Sequence, residues 1–464
     1  MQTTDGLTSR QKPLPRKRKR RGFLTRSTLI FIGDHEFGLA GPRIPREVFW
    51  KYPMPLDPKR TISELKELRA LTSDEHGAQR VAWTDTWLQA REWFRTKWAG
   101  LPVEQHYDAA GNDWLTLQGE SEKALLLGSH LDSVPNGGWL DGALGMMAAL
   151  EVMRRFAEEY NGRPPVTIRV VDWADEEGAR FGRSLLGSSA FAGTHSIAAD
   201  RVRTDRDGIR LEDALRRCGV EIDCFPEAER ERHNAAAYLE LHIEQGPVLE
   251  RLKLPLGVVL GTKGVERHAI MFHGQEAHSG STPMSVRRDA LAAAAKLALE
   301  IRPIAKKHAD AVCTMGSVKT FPGIVTAVVG RCEATLDQRD LDATVLADMY
   351  RQAREASQRF AEEEGCTVEW SRIWSIEPVP FHPTLLTFCQ EAIEETAGAS
   401  HRLPSGPLHD AAEVSRSGIP AVMMFVQSIG GISHNKIEDT REEHLELAVV
   451  ALDKLATKTA HWIH

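Results

Sequence analysis

Five side chains of the types that bind metal ions are spread over about three hundred residues of the chain, and each lies where an apolar run ends. They are His130, Asp141, Glu177, His242 and His434. The carboxyl ends of strands in an open α/β sheet meet at one edge, where such sheets place their sites. Mixed imidazole and carboxylate ligands suit zinc, and manganese, cobalt or nickel can also occupy such a set. The pattern predicts a hydrolase with two metal ions.

The segment around His130 has the form of a buried strand that ends in a loop. Residues 124–129 form a short apolar run, and His130 follows directly. Asp132 is predicted to accept a hydrogen bond from the second ring nitrogen of His130, because such a partner fixes the tautomer of a metal-binding histidine. Asp141 is predicted at the start of the next helix.

Two adjacent glutamates follow a second apolar run. Residues 166–174 form that run, and Glu176 and Glu177 come just after it. Adjacent carboxylates repel each other, so this position indicates either full solvation or a cation nearby. A bound metal ion satisfies both groups if one carboxylate ligates the ion and the other accepts a proton from water.

Each segment alone has a plainer explanation. A single histidine at a strand end is more often structural than a ligand, and a pair of glutamates is more often a solvated surface feature. The order of the whole set along the chain is what favours a metal site. His242 lies in the strand-like segment 238–246, and His434 follows the apolar run 421–426.

This order of motifs resembles the M20 family of metal-dependent amidohydrolases and peptidases, from about Thr61 onward. The strings at residues 176–181, 242–247 and 277–284 resemble its hydantoinase/carbamoylase branch, which includes N-carbamoyl-L-amino-acid hydrolases, β-ureidopropionases and allantoate amidohydrolases. The resemblance implies a metal-dependent enzyme that cleaves a non-peptide linear amide C–N bond. An N-carbamoyl-L-amino acid or related ureido compound is the leading substrate class.

The resemblance implies two divalent metal ions per subunit, with zinc favoured, bridged by Asp141. His130 and His242 would complete one metal site, and Glu177 and His434 the other.

Four further residues receive roles through the resemblance. Glu176 would accept the proton of a water held between the two ions and pass it to the leaving nitrogen. His278 would reach the active site of a neighbouring subunit and stabilise the oxyanion there, which implies a homodimer. Arg339 would hold the substrate carboxylate in a bidentate fork, with Gln245 as a second binding residue. From the residues alone, a second interpretation stays open for each: His278 could cap the following helix region, and Arg339 could be a surface charge.

The chain departs from the branch at two places. Counting back from Arg339 places Thr326 where the branch has a substrate-binding asparagine. A threonine has one hydroxyl in place of an amide with two donor hydrogens and an acceptor, so we expect a shifted substrate preference with Thr326 at the specificity position. The second departure is a proline and a leucine before His409 and Asp410, where the branch has small residues.

Between His242 and His434 the pattern predicts the order strand, helix, strand, strand, helix, strand, which is the split βαβ arrangement. The predicted fold is α/β, a mixed-sheet catalytic domain with two metals that carries an inserted ferredoxin-like α+β satellite domain for dimerisation and closure. The predicted boundaries are 1–60 for a basic N-terminal arm, 61–260 and 376–464 for the catalytic domain, and 261–375 for the satellite domain.

Composition agrees with a globular enzyme of 464 residues and a net charge of −7. No basic stripe indicates nucleic acid binding, and no apolar stretch approaches the roughly 20 residues of a membrane span. Residues 16–21 form a basic run, and residues 20–24 resemble a twin-arginine export string, but the following apolar stretch is shorter than the roughly 7 residues an export signal needs. Six scattered cysteines fit reduced thiols, so a cytoplasmic protein is predicted.

Two other classes of function stay open. One is an N-acyl-amino-acid amidohydrolase or dipeptidase of the same superfamily, which would keep every metal residue. The other is a non-catalytic binding protein with the same fold, which would be expected to lose Glu176 or a ligand. None of these residues is missing from the chain.

Overall fold

The computed structural model describes residues 55–464. The basic run and the export-like string lie outside the described residues. The first helix begins at Pro58, within the last residues assigned to the predicted arm. Among the described helices, none combines the length and the apolar character that crossing a membrane requires. All six cysteines are unpaired.

The strands are β1 (Ser73–Asp74), β2 (Gly77–Ala78), β3 (Glu104–Tyr107), β4 (Asp113–Leu117), β5 (Ser121–Ser129), β6 (Val166–Asp172), β7 (Ala235–Ile243), β8 (Leu256–Thr262), β9 (Gly264–His273), β10 (Ala277–His278), β11 (Val312–Phe321), β12 (Ala327–Val328), β13 (Arg331–Asp340), β14 (Thr367–Ile376), β15 (Val379–Pro380), β16 (Arg402–Ser405) and β17 (Ala421–Val426).

The α-helices are α1 (Pro58–Thr72), α2 (Asp85–Lys97), α3 (Ala143–Glu159), α4 (Leu186–Ala192), α5 (Ile197–Arg201), α6 (Leu211–Arg217), α7 (Val248–Leu252), α8 (Ala290–Ala305), α9 (Ala343–Glu363), α10 (Pro383–Ala397), α11 (Asp410–Arg416) and α12 (Glu442–Ile463). Short 3-10 helices cover Ile222–Arg232, Met284–Val286 and Ile429–Gly431.

A nine-stranded mixed sheet forms the larger part of the fold. Its order is β15-β8-β17-β7-β5-β6-β4-β3, with β16 beside β8. The four central strands β17, β7, β5 and β6 are parallel. Every residue of β6 and β17 is buried, as expected for apolar strands covered on both faces. The predicted mixed α/β fold is confirmed.

Helix α3 packs against β5, β6 and β7, and α12 packs against α3 and α10. Fourteen of the seventeen residues of α3 are buried, which accounts for the apolar character of its sequence on nearly all sides. The main hydrophobic core lies between this sheet and these helices.

A second, four-stranded antiparallel sheet has the order β11-β13-β9-β14. With α8 and α9 it follows the chain order βαββαβ, apart from the short strands β10 and β12, which pair with each other. Alternate residues of β13 (Cys332, Ala334 and Leu336) are buried in a hydrophobic cluster separate from the main core. The chain passes from the large sheet to the small one at Lys263 and returns at Glu377.

Candidate metal centre

The four central parallel strands all end at the same edge of the large sheet, and a candidate ligand lies at each end. His130 follows β5, Glu177 comes five residues after β6, His242 is the penultimate residue of β7, and His434 follows β17 and a short 3-10 helix. Parallel strands bring their carboxyl ends together, so residues far apart in sequence meet here.

Asp141 reaches the same place from the loop between β5 and α3. Its neighbour Gly142 has a φ of 63°, and a Cβ atom there would lie 2.4 Å from the ring of His130. Only glycine fits this position, because it tolerates the left-handed backbone and leaves room for the imidazole.

The first candidate ligand group contains His130, Asp141 and His242, all buried. The Nε2 atom of His242 lies 3.1 Å from Asp141 Oδ1, and Nε2 of His130 lies 3.8 Å from the same oxygen. Neither Nε2 atom has a hydrogen-bond partner among the described residues. Buried nitrogens of this kind are normally satisfied, so these two indicate a ligand.

The other ring nitrogens fix the tautomers of both histidines. His130 Nδ1 lies 3.1 Å from the backbone carbonyl of Asp132, and His242 Nδ1 lies 2.9 Å from that of Ile243. A carbonyl only accepts, so in the neutral rings Nδ1 carries the proton and Nε2 presents its lone pair to the site.

The Asp132 carboxylate, the predicted partner of His130, is not the group nearest to the ring nitrogen. Its Oδ1 lies 3.5 Å from His130 Nδ1, farther than the backbone carbonyl of the same residue. The carboxylate instead accepts the backbone N–H groups of Glu176 and Glu177, each at 3.2 Å. It therefore fixes the glutamate loop beside the histidine.

The second candidate group contains Asp141, Glu177 and His434. His434 Nε2 lies 3.2 Å from Glu177 Oε2 and 3.5 Å from Asp141 Oδ2. Asp141 thus belongs to both groups and turns one oxygen toward each. This group is the more exposed one, since half of the His434 side chain is accessible to solvent.

The distances fit metal coordination. Two ligands on one tetrahedral ion, with bonds of about 2.1 Å, lie about 3.4 Å apart. The four nitrogen to oxygen distances within the two groups lie between 3.1 and 3.8 Å. Together with the two unpaired Nε2 atoms, the donor set fits a pair of divalent ions that share Asp141.

The electrostatics point the same way. Burial would raise the pKa of Asp141, but the close approach and charge of His242, with the charges of His130 and His434, hold it well below its usual value. Burial lowers the pKa of His130, but the charges of Glu176, Asp132 and Asp141 outweigh burial and raise it. The hydrogen bond that His434 donates to the Glu177 carboxylate raises the pKa of His434 to about 9.

Three other buried carboxyl groups near the ligands have raised pKa values. Burial raises the pKa of Asp175 to about 8, and it raises those of Glu176 and Asp410 well above their ordinary values. Divalent ions at the two groups would compensate this concentration of negative charge.

Glu176 lies beside the first group without belonging to either group. Its Oε2 is 3.7 Å from His130 Nε2, and its side chain is 10% exposed. The carboxylate accepts no hydrogen bond from any residue that the structure describes. It is available to hold a proton next to the ligands.

Gln245 lies within the ligand cluster. Its Nε2 is 2.9 Å from Asp141 Oδ2 and 3.2 Å from Ser433 Oγ, while its Oε1 is buried and unpaired. The backbone of Gln245 is left-handed, with a φ of 55°, as is that of His434 with 53°. Strained backbone of this kind is concentrated at functional sites.

His278 and Thr326 lie next to each other on the smaller sheet's side of the chain. Strand β10 pairs with β12 so that His278 faces Ala327, and the carbonyl of Thr326 accepts the backbone N–H of Ser279. Both side chains are exposed. Within the described chain, the ring of His278 accepts only the N–H groups of Gly280 and Ser281, so the structure does not bring it to the metal cluster of its own subunit.

Arg339 lies near the end of β13 and contacts both its own strand and the loop that precedes α11. Its Nε donates to Asp337 Oδ1 at 2.9 Å, and its Nη1 donates to the carbonyl of Gly406 at 3.2 Å. Arg267 donates to the other oxygen of Asp337 at 2.8 Å. The guanidinium is therefore held at the junction between β13 and the loop before α11, and it does not contact the ligand cluster.

His409 is a buried residue whose role the sequence did not reveal. Its ring centroid lies 4.5 Å from that of His242, and its Nε2 lies 3.0 Å from Ser405 Oγ. Burial, followed by the charge of His242, lowers the pKa of His409 well below its usual value, so the ring is neutral. In the sequence, the one indication of His409 was its place, just before Asp410, in the motif that differs from the branch pattern.

A third group, Glu240, His242 and His409, also brings ligand atoms together. Glu240 is already satisfied, because its oxygens accept hydrogen bonds from Ser129 Oγ, the Tyr238 hydroxyl and the backbone N–H of Ala411. This glutamate is a structural acceptor and leaves His242 to the first group.

The sequence analysis did not predict a role for Ser433 or Glu438. Ser433 Oγ lies 2.8 Å from Asp141 Oδ2 and 2.8 Å from Glu438 Oε2. Burial and the charge of Asp141 raise the pKa of Glu438 to about 7. In the sequence, Ser433 was visible only as the neighbour of His434.

Residues 126–458 match the model of peptidase family M20/M25/M40. This range contains all five candidate ligands and Glu176. The chain belongs to this family. The family predicted from the motifs is therefore confirmed.

The relatives fall in the hydantoinase/carbamoylase branch. The chain is 37% identical over 347 residues to an N-carbamoyl-L-amino acid amidohydrolase of Geobacillus stearothermophilus, covering 74% of this chain and 84% of that protein. It is 31% identical over 411 residues to an allantoate amidohydrolase of Bacillus subtilis (strain 168), covering 88% and 99%. The crystal structure of a hydantoinase/carbamoylase family amidase from Burkholderia multivorans superposes with a TM-score of 0.79 at 32% identity, covering 88% of this chain and 98% of that one.

Proposed function

We propose that this M20 family member is an amidohydrolase that cleaves a non-peptide linear amide C–N bond with two divalent metal ions. The observation that carries the proposal is the pair of ligand groups that share Asp141, with Glu176 beside them but outside both. The leading substrate class is N-carbamoyl-L-amino acids and related ureido compounds. Relatives named N-carbamoyl-L-amino acid amidohydrolase and allantoate amidohydrolase support this choice.

His130, Asp141 and His242 would hold one ion, and Asp141, Glu177 and His434 the other. The imidazole and carboxylate donors favour zinc, and manganese, cobalt or nickel also suit them. When bound, such ions supply Lewis acidity, which makes water a better nucleophile at neutral pH and polarises a carbonyl group.

The protein's own part in the reaction centres on Glu176. Its carboxylate accepts a proton from the attacking water and then delivers it to the leaving nitrogen as the C–N bond breaks. The products are an amine and a carboxylic acid, or a carbamic acid when the substrate is a ureido compound. Burial raises the pKa of Glu176 well above its ordinary value, and a carboxylate of higher pKa is a stronger proton acceptor.

The smaller sheet with α8 and α9 is proposed to be a satellite domain used for dimerisation and closure. His278 is exposed and its ring contacts only its own loop, which leaves it available to a neighbouring subunit. In that subunit it would donate a hydrogen bond to the developing oxyanion. The assembly we propose is a homodimer with shared active sites.

Substrate recognition is proposed to depend on Arg339, Gln245 and Thr326. Arg339 would bind the substrate carboxylate, and Thr326, beside the His278 loop, would set the preference near the scissile group. Gln245 donates a hydrogen bond to Asp141 through its Nε2. Its Oε1 is unpaired and would accept a hydrogen bond from the substrate.

A panel assay tests the proposed function. The purified protein would be loaded in turn with zinc, manganese and cobalt, then assayed for amine release from N-carbamoyl, N-acyl, dipeptide and allantoate substrates. The proposal expects turnover of ureido compounds at least about tenfold above the acyl and peptide series. Faster turnover of N-acyl amino acids or dipeptides would instead assign the aminoacylase or dipeptidase function.

A further inference from the structure

Asp141 must direct its two oxygens at two different ligand groups, yet it lies in a loop. Oδ1 faces His242, and Oδ2 lies 3.5 Å from His434. The residue precedes α3, and its own carbonyl accepts only a local hydrogen bond, from the backbone N–H of Ala143 at 2.6 Å, among the described residues. Some other part of the chain must therefore fix its position.

Glu438 makes that contact from almost three hundred residues away. Its Oε1 accepts the backbone N–H groups of Leu140 and Asp141, both at 3.1 Å. The glutamate is 2% exposed, so these hydrogen bonds are shielded from water. Two hydrogen bonds to one carboxyl oxygen fix the position and the orientation of the loop.

The same side chain also reaches the Asp141 carboxylate through one intermediary. Glu438 Oε2 and Asp141 Oδ2 each lie 2.8 Å from Ser433 Oγ. Gln245 Nε2 donates to Asp141 Oδ2 at 2.9 Å and approaches Ser433 Oγ at 3.2 Å. The oxygen that faces the second ligand group is thus oriented by Ser433 and Gln245, and Ser433 is held by Glu438.

The opposing loop is shaped to admit Glu438. A Cβ atom on Gly138 would lie 2.0 Å from Glu438 Oε1 and 2.5 Å from its Cβ. Any larger residue at position 138 would displace the carboxylate. The loop and the glutamate therefore fit each other as a built contact.

We propose that Glu438 is a positioning residue that fixes the bridging carboxylate of Asp141 and so couples the two metal sites. The inference rests on the proposed function, because it assumes that Asp141 bridges two ions. Glu438 itself would touch neither ion. Outer groups that orient a metal ligand typically change metal affinity by about 10- to 100-fold when they are removed.

The test measures metal binding by the full-length protein in competition with a chelator, together with the visible spectrum of its cobalt form. We expect Glu438→Ala to weaken binding of the second cobalt equivalent about 10- to 100-fold and to alter the spectrum. Glu438→Gln should retain most of the affinity, since its amide oxygen still accepts both N–H groups and its NH₂ still reaches Ser433. The matched control is Asp439→Asn, in the same loop, which contacts Trp139 but not Asp141.

Metal binding is also measured for Ser433→Ala and for the double variant with Glu438→Ala. Ser433→Ala removes the hydroxyl that lies between Glu438 Oε2 and Asp141 Oδ2 and leaves the two backbone hydrogen bonds of Glu438 Oε1 in place, so it tests the same connection if Glu438→Ala does not fold. The effects of the two substitutions should not add in the double variant, because both act through one chain of hydrogen bonds.

Unchanged affinity in folded Glu438→Ala, or in Ser433→Ala where the first variant fails to fold, would overturn the positioning role. Equal losses in Glu438→Ala and Glu438→Gln would also overturn it and assign a purely electrostatic effect. Failure of the wild-type protein to bind two ions would instead reject the proposed function.

Discussion

Replacing Glu176 by glutamine should remove catalysis and leave the metal centre intact. The carboxylate belongs to neither ligand group and accepts no hydrogen bond from the described residues, so an amide of the same shape loses no internal hydrogen bond. The cost is then confined to proton transfer. Loss of a general base lowers the rate about 10²- to 10⁴-fold, which corresponds to about 3 to 5 kcal/mol in the activation barrier.

The adjacent position supplies the matched control. Glu177→Gln makes the same chemical change one residue away, but it alters the carboxylate that lies 3.2 Å from His434 Nε2. We expect Glu177→Gln to lose about one metal ion per subunit, whereas Glu176→Gln keeps two. Metal content after dialysis and kcat at matched occupancy are the two measurements. Wild-type kcat in metal-loaded Glu176→Gln would refute the general base assignment.

Four other predictions concern pH dependence, subunit assembly and substrate preference. Because the pKa of His434 is raised to about 9, the ring carries a proton at pH 7 that metal binding must displace. Affinity for the second ion should therefore rise about tenfold per pH unit between pH 6 and 8, and an unchanged affinity in metal titrations would contradict the assignment. The raised pKa also stabilises the chelator-treated protein most below about pH 6.5, and this contribution should be lost as the pH rises through about 9, as thermal unfolding would reveal. Mixing inactive Glu176→Gln and His278→Ala subunits should restore activity, since one site of the heterodimer is complete; background activity despite proven subunit exchange would rule out shared sites. Thr326→Asn should raise kcat/KM for small N-carbamoyl-L-amino acids by about ten- to a hundredfold relative to other substrates, the range that one hydrogen bond to a charged group supplies, and an unchanged preference in a folded, metal-loaded variant would remove Thr326 as the specificity position.

The sequence predicted which residues meet at the site because the strands themselves bring them together. His130, Glu177, His242 and His434 each follow an apolar run, and parallel strands place such residues at one edge without further information. Asp141 was predictable from its position just before a helix. The family motifs then separated these five residues from the other acidic and histidine residues of the chain.

The supporting contacts were not predictable in the same way. Glu438 reaches the loop at Leu140 across 298 residues, and nothing in local spacing indicates that pairing. The partner of His130 was expected to be the Asp132 carboxylate, but a backbone carbonyl is nearer, because a carbonyl is available wherever the chain turns. His409 packs against the ring of His242 in the buried interior. The periodicity of the sequence gives no sign of this contact between two distant residues.

Anomalous X-ray diffraction from crystals of the zinc-loaded protein, recorded on both sides of the zinc absorption edge, tests the central claim most directly. The account predicts two peaks per subunit, one within bonding distance of His130, Asp141 and His242 and the other within bonding distance of Asp141, Glu177 and His434, with Glu176 bonded to neither. A single peak, or two peaks that do not share Asp141, would contradict the two-metal centre from which the proposed function is argued.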